Sequence, residues 1–150
     1  MLTNWFLKKI TNWCDKNERH RTIMSRDGKS VYLERYYLLF RNRKRFPINA
    51  VIHEFKKSDE DELHDHPWSF FTFIIKGEYD ETTLKGTFRR KPFQMRWYSA
   101  DSFHRVKLID EQPVWTFFMM GPKKRGEWGF LSDGEWVESE KYLRERLINH

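Results

Sequence analysis

The stretch LHDHPWSFFTFIIKG, residues 63–77, decides how the rest of the chain is read. Its second half is aromatic and β-branched and is closed by Gly77, which is the composition of a β-strand. Pro67 suits the first residue of such a strand, where no backbone donor is needed. Just ahead stand His64 and His66. Side chains two apart on a strand share a face, so the pair would present two imidazoles together, half of a metal site. On a surface loop the same pair would carry no such meaning, and the flanking sequence has to decide between the two.

Working outward, the flanks read as more strands. VYLERYYLLF, INAVIHEF, FQMRWYS, HRVKLI and PVWTFFMMG are short aromatic or β-branched runs. They are divided by RNRKRFP, KG, SADS, DEQP, GPKKRG and SDGE. Many short strands with no helical period between them predict an antiparallel barrel or sandwich over about residues 30–131. Leu2, Trp5, Phe6, Ile10 and Trp13 recur at helical spacing, predicting a helix over about 2–16 that packs through Trp5 and Trp13. VESEKYLRERLINH predicts a closing helix over about 137–148. The whole, 1–150, reads as one domain.

Three of the six histidines carry the chemistry. If the strands after His66 make two hairpin passes within a closed barrel, His104, opening HRVKLI, returns beside His64 and His66. Three neutral imidazoles with open positions form a catalytic rather than a closed structural set, suited to Fe, Zn, Cu or Ni. The bland alternative is a hydrogen-bonded interior network without metal. Tyr79 and Glu81 share a strand parity and are expected to face the interior. There Glu81 is either a fourth ligand or acid/base group, or else an exterior charge; Asp65 and Glu54 are the other carboxylates that could reach a metal. Tyr98 and Arg96 alternate on one strand and are candidates for proton transfer and for meeting an anionic or carbonyl group. His53 lines the same cavity or lies on the surface. Trp68 belongs at the barrel mouth, flanking substrate. Trp115, Phe117, Trp128 and Phe130 read as core or pocket wall, Arg105 as structural, and His20 and His150 as solvated.

These residues resemble the cupin superfamily, whose barrel is a double-stranded β-helix. His64, His66 and Gly77 match its first motif, with Phe70 where that motif has a glutamate. SADSFH places His104 as in the second motif, with Ser99 and Asp101 in place of its proline and glycine. HDHPW, GEYDE, HRV and WTFFMMGPKKRGEWGF also resemble a group of small bacterial and phage cupin-like proteins. The three-histidine cupins, among them thiol dioxygenases, bind ferrous iron. The resemblance therefore implies an Fe(II)-dependent oxygenase acting on a small molecule, with Zn, Mn or Ni as other metals. It leaves open a metal-assisted isomerase, epimerase or lyase of a sugar or keto acid, and a non-catalytic barrel holding an anionic metabolite or nucleotide. Cupin homodimers further suggest pairing through VYLERYYLLF as an exposed edge.

Composition narrows the classes. Aromatics at 17% exclude a disordered chain, and no apolar run approaches the roughly 18 residues of a membrane span. A lone cysteine, Cys14, and no apolar leader predict a cytoplasmic protein. The net charge of +6 is spread over RNRKR (41–45), RRK (89–91) and KKR (123–125), separate turns rather than one helix face. That pattern reads first as solvated loops, next as a rim for an anionic small molecule, and last as a nucleic-acid surface.

Overall fold

The computed structural model describes residues 2–41 and 47–148. Most of the RNRKR segment, and His150, lie outside the described residues. In chain order the elements are α1 (Leu2–Lys16), β1 (His20–Met24), β2 (Val31–Tyr37), β3 (Asn49–Phe55), β4 (Trp68–Lys76), β5 (Tyr79–Thr83) and β6 (Gly86–Arg90). There follow β7 (Met95–Tyr98), β8 (His104–Leu108), β9 (Val114–Lys123), β10 (Gly129–Ser132), β11 (Glu135–Glu138) and α2 (Ser139–Ile148). The strands form an antiparallel six-stranded sheet, β1-β2-β3-β9-β4-β7, a three-stranded sheet, β6-β5-β8, and the hairpin β10-β11.

Strand alternation builds the interior. On β9, Val114, Phe118 and Met120 turn inward, and on β4, Phe70 and Ile74 do the same. Ile74 and Val114 of the large sheet pack on Tyr79, Val106 and Leu108 of the small one, closing the barrel. A second cluster, Val51, Phe70, Tyr98, Phe118 and Met120, fills the other part. Gly77, between β4 and β5, has φ +83° and leaves no room for a side chain, since a Cβ there would stand 2.8 Å from the Pro113 carbonyl oxygen.

The other faces of β2, β3 and β9 carry α1. Leu7 and Cys14, with Ile10 beside them, pack on Tyr36, Ile52, Trp115 and Phe117. The helix exists as predicted but buries a different stripe, because its i, i+3, i+7 row from Leu7 to Cys14 meets the sheet. Trp5 and Trp13, 57% and 46% exposed, instead lie under the cations of Lys9 and Arg19. Three further expectations are corrected. Residues 20–24 form an unforeseen strand that pairs with β2, so VYLERYY is an inner strand and not a free edge. His20 is wedged between Asp15 and Glu34, each at 2.7 Å, rather than solvated. Residues 135–138 complete a hairpin, so the last helix starts at Ser139. Among the described residues no helix is long and apolar enough to cross a membrane.

Candidate metal centre

His64 and His104 are strapped together by an antiparallel bridge: the His64 amide donates to the His104 carbonyl at 3.0 Å and the His104 amide returns the bond at 2.9 Å. Both side chains then leave the backbone on one face. His66, two residues on at the foot of β4, shares the parity of His64 and reaches the same point. The three ring centroids are 5.0–5.3 Å apart, and one ligand nitrogen from each lies within 4.8 Å of the others. Nε2 of His66 faces Nε2 of His104 at 3.0 Å. Two such nitrogens need either a proton between them or a metal in its place.

Burial favours the neutral form of His64 and His66. Burial pushes His64 down to about 4, with the neighbouring His104 adding to it against an opposing pull from Asp59. His66 is held well below its ordinary range by burial first, then by His104, His64, Arg35 and His53. Unprotonated imidazoles are the form that binds metal. This donor set fits a divalent first-row ion, and no carboxylate joins the group among the described residues.

Glu81 stands behind the centre rather than in it. It is 0% exposed, and its carboxylate accepts hydrogen bonds from His104 Nδ1 (3.0 Å), the Tyr98 hydroxyl (2.6 and 2.8 Å) and Arg90 Nε (2.8 Å). Burial alone would raise this carboxyl. The hydrogen bond and charge of His104, with the bonds from Tyr98 and Arg90, outweigh burial and hold it down at about 2. An ionised carboxylate only accepts, so Nδ1 of His104 carries its hydrogen and Nε2 is left as the free donor atom. The expectation of an exterior charge is thus corrected: β5 alternation turns Glu81 inward, opposite Val106.

The remaining candidates separate. Tyr79 is buried in the apolar cluster beneath β5, its hydroxyl raised by burial first and then by the Glu81 charge. Arg96 pairs in register with inward-facing Thr72, yet it is exposed. Trp68 stacks on His66 with centroids 6.2 Å apart. His53 is buried inside the barrel, not on its surface. Asp65 turns away from its histidine neighbours and accepts from Arg125 (2.5 Å), the Gly129 amide (2.8 Å) and Trp136 Nε1 (3.0 Å), which removes it as a ligand. Glu54, paired with Lys56 at 3.5 Å, lies on the outer face. Phe70, at the glutamate position of the resemblance, packs between Tyr98 and Phe118 and meets His66 edge-on. Arg105 is exposed and donates to the Asp59 carbonyl, and it joins no ion pair among the described residues.

Arg90 and Arg125 are the participants that the sequence reading missed. Their neighbours in RRK and KKR look like solvated turns, and only the fold shows Arg90 buried against Glu81 and Arg125 donating to Asp65. His64 also forms part of the wall of a cleft of about 280 Å³, with Tyr32, Asp59, Asp61, Trp128 and Phe130.

Comparison with solved structures places this architecture. The chain is similar to a cupin-2 domain from Rhodospirillum rubrum, with TM-score 0.59 and 11% identity over 85% of this chain and 80% of that one. It is also similar to a cupin-superfamily sugar phosphate isomerase from Silicibacter pomeroyi (0.55, 11%, 68% and 66%). A third is Fe(II) HppE (0.55, 10%, 69% and 57%). Likeness at such identity establishes the fold, and the fold is that of the cupins. No family model and no curated protein matches the sequence.

Proposed function

We propose that this cupin-fold chain binds a divalent metal through His64, His66 and His104, Fe(II) by preference, and oxygenates a small, anionic molecule held in the barrel. The observation that carries the reading is the convergence of three imidazoles from two strand ends, with Glu81 fixing the tautomer of one. A ferrous ion so held supplies the redox chemistry that reaction with O₂ requires, and three protein ligands leave room for a substrate. In this reading Glu81 and Tyr98 are positioning residues: Tyr98 donates to Glu81, and Glu81 aims His104. Trp68, stacked on His66, walls the substrate side, and exposed Arg96 serves as an outer contact for an anionic group.

The test is O₂ uptake on an oxygen electrode, after anaerobic loading with Fe(II), across a panel of small organic acids. Uptake that needs both iron and His104 supports the proposal. Turnover without O₂ in the Zn, Mn or Ni form would replace it with isomerase or lyase chemistry. Retention of ligand without turnover, in metal-free protein, would replace it with a binding barrel.

A further inference from the structure

Arg35 on β2, His53 on β3 and Thr116 on β9 are successive rungs of the large sheet, since Arg35 pairs in register with His53 and His53 with Thr116. Residues opposite one another in a ladder share a face, so the three side chains form a row across the inner wall. His53 and Thr116 are 5% and 2% exposed. Arg35 Nε, both ring nitrogens of His53 and Thr116 Oγ1 are all buried, and none makes a hydrogen bond among the described residues. Buried polar atoms in a folded protein are almost always paired, and here four of them line one strip. Arg35, only half-buried, has no ion-pair partner among the described residues.

The surroundings show what the strip can receive. Its neighbours along the strands are apolar: Phe55 and Val114 on one side, Val51 and Phe118 on the other. The His53 ring lies 4.9 Å from that of Phe118, which itself reaches His66 at 6.4 Å. Burial, and then the Arg35 charge, keep His53 unprotonated, so it offers one donor and one acceptor. The strip therefore holds the buried Nε–H of a guanidinium, whose planar fork carries one fixed positive charge, with two neutral hydrogen-bonding groups in line. That combination matches a planar monoanion better than a phosphate dianion, which would call for more charge.

We infer that Arg35, His53 and Thr116 form a carboxylate-binding subsite, and that the substrate is a small organic acid gripped there by its carboxylate while its other end faces the three histidines. The second clause rests on the metal-centre reading; the carboxylate subsite does not.

The experiment titrates the metal-free full chain, carrying ¹³C-labelled histidine, with glycolate, with the uncharged glycolamide and with inorganic phosphate, and follows the His53 ring signals by NMR. Those signals are assigned by their loss in His53→Phe. Glycolate should shift them saturably, and glycolamide and phosphate should bind at least about 10-fold more weakly. Arg35→Met should weaken glycolate by about 10- to 100-fold while leaving metal uptake by the triad unchanged. Arg35→Lys, which keeps the charge but not the fork, guards against loss of folding and should fall between. Absence of any shift, glycolate affinity unchanged in both variants, or preference for phosphate would overturn the inference. Glycolate binding through Arg35 in a protein that takes up no metal would overturn the metal reading and leave the subsite standing.

Discussion

His104 works through both ring nitrogens, with Nε2 facing His66 and Nδ1 donating to Glu81. Replacing the carboxylate by an amide, Glu81→Gln, keeps the shape but weakens the hold on the ring and on Arg90. Metal affinity should fall about 10- to 100-fold, read by competition with a coloured chelator, while the far-UV circular dichroism is unchanged. Phe70 makes the opposite kind of contribution. It is buried between Tyr98, Phe118 and His66, and Phe70→Ala should cost about 3–5 kcal/mol in urea unfolding. The histidines were legible from their spacing, since HDH and the later His104 need only a barrel to bring them together. Glu81 was legible only as a parity argument, because a strand does not show which face is inside. Arg35 was not legible at all: in VYLERYY nothing separates its charge from that of Glu34, which faces the other way.

At the scale of elements, the turn that carries His64 and His66 is held by the residue between them. Asp65 gathers Arg125, Trp136 and the Gly129 amide, tying the HDH segment to β10 and β11. Asp65→Ala leaves the Gly129 amide and Trp136 Nε1 without their acceptor, while Arg125 keeps Asp101 and the Ala100 carbonyl, and should destabilise the fold by about 1–3 kcal/mol, with a change in tryptophan fluorescence before global unfolding as the Trp136 bond is lost. Gly77→Ala meets both a positive φ and the Pro113 carbonyl, so a loss of about 1–3 kcal/mol in unfolding free energy is expected. Strand positions were readable because their aromatic and β-branched runs are bounded by turns. The buried face of α1 was not, since Trp5 and Trp13 are apolar but find cations rather than the sheet. β1 escaped because HRTIM is short and half polar, and only its pairing with β2 makes it a strand.

For the whole molecule, acid should act in two stages on metal-free protein. His64 lies at about 4 against an ordinary 6.5, so the unfolded chain takes up its proton first and stability is lost as pH falls from 6.5 towards 4. The Glu81 contribution is complete above pH 4.5 and is lost as pH falls towards 2, roughly 3 kcal/mol in all. The urea midpoint should therefore decline below pH 6.5 and more steeply below 4.5. Glu81→Gln should flatten the second stage, leaving the part that His66 and His53 contribute. Metal at 100 times its dissociation constant should add about 2.7 kcal/mol at pH 7.

Metal content of the untagged protein, purified without chelating resin and measured by elemental mass spectrometry beside the His64→Ala/His104→Ala variant, tests the central claim most directly. The account predicts close to one equivalent of divalent metal, with iron foremost, in the parent chain and almost none in the variant. Equal metal in both, or none in the parent even after anaerobic incubation with Fe(II), would contradict it.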